Sequence, residues 1–149
     1  MTNPEFWQLI ALIDVSALER GREDDALEPL QVALGAMPES ALFAFEEALS
    51  QRLYAIDGGA FAGNAGESGG SDDGFLYARC YVVAKGWAFY EAVKADTTRM
   101  PVSIEHWCEP LLYVHRTAWM ARTGKDESLW PFEASVSYES GSNASLWPR

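Results

Sequence analysis

Two aspartates, Asp72 and Asp73, stand side by side in the stretch GGSDDGFLYARCYVVAKG, residues 69–86. Paired carboxylates are the raw material of a metal site or of general acid–base catalysis, but the spacing argues against both. In a helix, neighbouring side chains point about 100° apart, so these two carboxylates would not converge on one ion. A calcium loop needs further oxygen ligands at fixed offsets and a distal Glu, which the stretch lacks. The structural reading is simpler. Ser71 caps a helix, and Asp72 and Asp73 place negative charge at the positive end of its dipole. Arg79 follows in an otherwise apolar run. A buried, unpaired guanidinium is costly, so the sequence predicts a structural ion pair between Arg79 and Asp72 or Asp73, with Asp57 as an alternative partner.

His106, Cys108 and His115 are the other chemically able residues. Their spacing matches neither a CxxC pair nor a His pair at i,i+4, so no metal is expected. A Cys–His nucleophile pair at Cys108 lacks an activating motif, and a thiol between Trp107 and Leu111 reads as core. GxSxG, HExxH and the phosphate-binding GxxxxGK[ST] are absent from the sequence. The aromatics Trp7, Trp87, Trp107, Trp119 and Trp130 read as core before they read as pocket walls. No catalytic residue and no cofactor is expected.

The elements that hold these residues are helical. Asn3-Pro4-Glu5 starts a helix with Phe6, Leu9, Ile10 and Ile13 on one face, ending before Gly21. Asp25 is expected to cap a second helix, with Pro29 in its first turn and Gly35 closing it. The third, after Pro38-Glu39, carries the strongest stripe: Leu42, Phe45, Leu49, Leu53 and Ile56. Residues 57–70 hold six glycines and read as a loop. Ser71 opens a fourth helix, Trp87–Ala95 forms a fifth, and Ser103–Thr123 a sixth, kinked or broken near 108 by Pro110. Val136-Ser137-Tyr138 is a candidate short strand with nothing evident to pair with it. The fold class is therefore all-α, a single-domain bundle of about six helices with a glycine-rich loop in the middle. A helical domain over 1–125 is followed by a C-terminal extension, 126–149, packed on it or trailing from it.

The 149 residues suffice for one sizeable core, and eleven basic against 22 acidic residues give a net charge of −11. Such a surface repels nucleic acid and anionic membranes and favours a basic partner. Two cysteines make no disulfide framework, the first residues lack a basic signal region, and no apolar run reaches about 18 residues, so the expected location is cytoplasmic.

Phe6, Trp7, Leu9 and Ile10 form F-W-x-L-I, and Gly69, Gly70, Asp72, Asp73, Gly74 and Phe75 form G-G-x-D-D-G-F. With Tyr77, Arg79, Gly86, Tyr90 and Ala92 after them, these motifs resemble a bacterial family catalogued as domain of unknown function 4240. The resemblance covers residues 4–123 and departs at 57–68 and in the C-terminal tail. It implies a small cytosolic helical protein and carries over no enzymatic activity. Small size, one domain, strong acidity, the glycine-rich insertion and the lack of a convergent catalytic set lead instead to the expectation of a non-catalytic acidic binding protein, most concretely an immunity protein that neutralises a cognate bacterial toxin. Its partner would be a basic protein, met through Asp57, Glu67, Asp72, Asp73 and Tyr77 and through the acidic stretches Glu23-Asp24-Asp25 and 133–139. A small-ligand protein or enzyme using Asp72, Asp73 and Arg79 beside an aromatic pocket is the alternative, and a homodimer through exposed aromatics is a third reading.

Overall fold

A computed structural model describes residues 1–148, and among them it holds eight α-helices and no strand. They are α1 (Asn3–Ile10), α2 (Val15–Glu19), α3 (Glu23–Gly35), α4 (Glu39–Ala55), α5 (Gly59–Gly63), α6 (Asp72–Ala84), α7 (Trp87–Ala95) and α8 (Val114–Thr123), with short 3₁₀ turns between and after them. α6 sits at the centre. From Gly74 to Ala84 every residue but Tyr77 is buried, which is why its sequence reads as a continuous apolar run and not as a stripe. α4 packs on α6 and α8. Its expected stripe of Leu42, Phe45, Leu49 and Leu53 is buried, and so are Glu46, Ala48 and Ser50.

Local chemistry moves several boundaries. Thr2, not Asn3, caps α1, and Thr2 and Glu5 exchange side-chain to backbone bonds in a capping box. The first predicted helix is two, because Asp14 takes the Ala17 N–H and starts α2. α3 begins at Glu23 and runs through Pro29, so Pro29 lies in the interior and not in the first turn. The expected helix from Ser103 is shorter still. Residues 101–108 are irregular, a 3₁₀ turn spans Glu109–Leu112, and α8 starts at Val114.

The glycine-rich middle is wound instead of open, with α5 and a 3₁₀ turn over Gly66–Gly70. Its glycines allow close approach. A Cβ on Gly66, where φ is +58°, would lie 2.5 Å from the Val102 carbonyl oxygen, and one on Gly69 would meet the Ala62 carbonyl. The C-terminal extension lies along the helical body. No strand forms at 136–138; that segment is irregular, and inside 131–140 partly covered residues alternate with exposed ones. Phe132 stacks on Phe43 at 5.5 Å, and Trp147 meets Phe75 edge-on at 5.8 Å. Among the described residues no helix is long and apolar enough to cross a membrane.

Candidate functional site

The Asp72, Asp73 and Arg79 group does not form the predicted ion pair. Ser71 caps α6 through the Gly74 N–H at 3.0 Å, and both aspartates are exposed in the first turn. Arg79 is fully buried and reaches carbonyl and hydroxyl oxygens instead. Its Nη1 donates to Leu53 O at 2.9 Å, and its Nη2 donates to Tyr138 O and Ser140 Oγ, each at 3.0 Å. Asp72 joins only through its main-chain oxygen, which accepts from Ser140 Oγ at 2.7 Å. Burial pulls the pKa of the guanidinium down, and Asp57 is the first of the charges that oppose this. The Phe75 ring lies 4.6 Å below the charge. The group is a clasp for the C-terminal extension, not an open Asp–Arg cleft, and it offers no convergent acid–base pair.

Asp57 was expected at a partner surface, and the structure corrects this. It is fully buried, and it accepts from Gly141 N at 3.0 Å, Asn143 N at 2.9 Å and Trp147 Nε1 at 3.0 Å. Both its oxygens are engaged by the extension. Glu67 is exposed in the 3₁₀ turn. Asp73 and Tyr77 share a face of α6 one turn apart. Tyr77 packs edge-on against Trp107, whose indole donates to Ser68 Oγ at 2.8 Å. The Tyr77 pKa is raised, first by desolvation and then by the negative charges of Glu109 and Asp73.

The remaining candidate nucleophiles and ligands are separately occupied. His106 stacks on Tyr81 at 5.0 Å. Cys80 and Cys108 are buried free thiols, and burial pushes Cys108 up to about 12 and Cys80 upward as well, so both are protonated at neutral pH.

Two sites emerge that motif reading missed. In the first, buried Glu46 on α4 meets α8. Its Oε1 lies 2.8 Å from His115 Nε2 and accepts from Arg116 Nε at 2.8 Å, while its Oε2 accepts from Trp130 Nε1 at 3.2 Å. Burial drives the His115 pKa down against the pull of Glu46. Glu46 is held below the ordinary carboxylate range: desolvation, the largest influence on it, raises its pKa, and the bonds from His115 and Arg116 outweigh that. Beside this group a cleft of about 410 Å³ runs along residues 132–139, with Glu46, Ser50 and Arg116 on its helical side. One signal was readable: Glu46 falls at i+4 from Leu42 and i−3 from Leu49, inside the apolar stripe.

The second site is an acidic trough. Three hollows of about 600, 490 and 410 Å³ adjoin along α3, α8 and the turn before α3. The first two share Asp24 and Gln31, and the last two share Glu23. Their walls carry Glu19, Glu23, Asp24, Asp25, Glu28, Glu105 and Glu109 against only Arg20 and Arg122. Lys85 neutralises Glu19 at 2.9 Å and Arg22 neutralises Asp25 at 2.7 Å; among the described residues the other five have no basic partner at ion-pair distance. The pKa of Glu23 is raised by partial desolvation and then by Asp24 and Glu109, as expected where like charges crowd. Val32, Ile104 and Tyr113 lie exposed along the same trough.

Fold and surface together define a small all-α protein with a buried polar frame and one strongly acidic face. The chain belongs to the family named Protein of unknown function (DUF4240), whose model matches residues 1–121. The match ends inside α8, so the extension lies beyond it. No curated protein and no solved structure matches the chain.

Proposed function

We propose that this chain is a non-catalytic binding protein that docks its acidic trough onto a basic protein surface, most concretely as an immunity-type inhibitor of a bacterial toxin domain. The observation that carries the reading is the concentration of seven carboxylates, five of them without a basic partner among the described residues, around hollows edged by exposed Val32, Ile104 and Tyr113. Apolar anchors inside a charged rim suit protein contact, because burial gives affinity while the field speeds encounter and rejects acidic surfaces. A toxin that handles nucleic acid or nucleotides presents a basic cleft, and such a trough complements it. The proposed contact surface is Glu23, Asp24, Glu28 and Glu109, which line the hollows; Tyr77 is near Glu109 and Asp73 one turn from Tyr77, and buried Asp57 is not part of it.

The test compares the tagged wild type with Asp24→Lys/Glu28→Lys as baits in a lysate of the native host. Binding is read from about 0.05 to 1 M salt, over which the Debye length falls to about 3 Å. The expected result is one basic protein held by the wild type at low salt, released at high salt and absent from the variant. Co-expression of the wild type, and not of the variant, should then relieve any toxicity of that protein. Equal capture by both baits, or capture that salt does not weaken, refutes the reading.

A further inference from the structure

We propose that the cleft between α4, α8 and the C-terminal extension binds an organic cation: a primary ammonium or guanidinium group on a slim aliphatic stem. This site shares no lining residue with the acidic trough and stands independently of the docking reading. At about 410 Å³ it has the size of a small-ligand pocket.

Three features set its chemistry. First, Ser50 lines the cleft at 1% exposure, and its hydroxyl has no hydrogen-bond partner among the described residues. A serine inside a helix ordinarily bonds the carbonyl one turn back, here that of Glu46, and this one does not. A buried hydroxyl left open is costly unless something else fills it. Second, Glu46 has spare acceptor capacity. Oε1 is taken by His115 and Arg116, but Oε2 receives only the Trp130 indole, and a carboxylate has about four acceptor positions. Third, the charge is unbalanced. Glu46, Glu133 and Glu139 line the cleft with one basic residue among its described lining, Arg116, which already binds Glu46 at 2.8 Å and lies 3.5 Å from Glu127; the Arg79 guanidinium behind the wall is taken up by Leu53 O, Tyr138 O and Ser140 Oγ.

A ligand that completes the site must therefore donate N–H bonds and carry positive charge. An anion would meet Glu133 and Glu139, and a neutral alcohol would leave the carboxylates uncompensated. Phe132, Val136 and the Tyr138 ring supply apolar wall for a stem, and aromatic faces attract ammonium and guanidinium groups. A bare metal ion would gain nothing from those walls.

The test is calorimetric titration of the full chain with four probes: 1,5-diaminopentane, an acetylated pentapeptide with one central lysine, 1,5-pentanediol and calcium chloride. At least one amine should bind. The diamine alone would mark a free small molecule as the source, and the peptide alone would mark a partner's lysine. Ser50→Ala should weaken amine binding about tenfold, as expected for losing one hydrogen bond to a charged group. Glu133→Gln/Glu139→Gln alters only exposed side chains and should weaken it severalfold while the fold persists. Binding of neither amine, equal binding of the diol or of calcium, or unchanged affinity in both variants overturns the proposal.

Discussion

Asp57→Asn tests whether the C-terminal extension is an integral part of the fold. The wild-type carboxylate is fully buried and takes three N–H donors, two on Oδ1 and one on Oδ2. Asparagine fits the space but can keep only one oxygen. With that oxygen facing Gly141 and Trp147, its NH₂ group points at the Asn143 N–H, donor against donor. The two retained bonds lose their charge assistance, about 1 kcal/mol each, and the orphaned N–H costs about 2 kcal/mol more. Shared strain relief makes such losses less than additive, so the expected destabilisation is about 3–4 kcal/mol. For a chain of this size that corresponds to a fall in Tm of about 10 °C.

Thermal and urea unfolding measure the global effect, and amide exchange at Gly141 and Asn143 measures the local one. Both should change together. Trp147→Phe is the companion variant if Asp57→Asn fails to fold. It removes one donor and keeps a ring against Phe75, for a loss of about 1 kcal/mol. A variant at Asp57 that melts within about 2 °C of wild type would refute the reasoning, as would a large Tm loss with unchanged exchange at the two amides.

Further outcomes follow from single observations. Ser50→Ala should raise the stability of the free protein by about 1 kcal/mol in urea unfolding, because it deletes a buried hydroxyl without a partner; a loss of stability would mean that Ser50 holds the fold. Gly66→Ala should destabilise by about 2–4 kcal/mol, combining a left-handed backbone with contact on the Val102 carbonyl, and a Tm within error of wild type would contradict it. For pH dependence the sign runs one way: the folded pKa of His115 lies below 6.5, so the unfolded chain takes up the proton first. Stability should be level above about pH 6.5 and fall below it, by at most about 1.4 kcal/mol per pH unit. Glu46 adds a further loss below its ordinary pKa of 4.5. A Tm that rises from pH 7 to 5.5 would show that His115 is charged in the fold.

How much of this was legible depends on the range of the interaction. The buried stripe of α4 and the Ser71 cap rest on residues three or four apart, and the periodicity of 42, 45, 49 and 53 reveals them directly. The apolar run around Arg79 shows that it needs partners, yet these lie 26 to 61 residues away, and two of the three are main-chain carbonyl oxygens, which leave no trace in the sequence. The nearest carboxylates in sequence were therefore the wrong choice. In the sequence Asp57 opens an acidic loop and reads as partner surface, with pairing to Arg79 as the alternative; what buries it are N–H groups 84 to 90 residues on. Pro29 fooled the boundary of α3 because helix interiors tolerate a proline only when packing outweighs it, and Leu27, Leu30 and Leu34 supply that packing.

The acidity of the chain divides by role, and this division bears on function more than the total of −11 does. Glu5, Asp14, Asp96 and Asp126 bond backbone N–H groups near their own helical turns. Glu46, Glu47 and Asp57 fasten the extension or α8 to the helical body. All seven already hold the fold, and of them only Glu46 keeps an acceptor position for a ligand, on Oε2. Glu23, Asp24, Glu28, Glu105 and Glu109 are different: among the described residues nothing basic holds them at ion-pair distance, and they crowd around one trough. Solubility alone would be served by charge spread evenly, because crowding like charges raises the energy of the folded state. A field kept in one place at that cost is better matched to a complementary surface than to solvent. Neutralising the crowded group, for instance by Asp24→Asn/Glu28→Gln, should accordingly stabilise the free protein slightly in urea unfolding, while weakening capture of the basic partner proposed above.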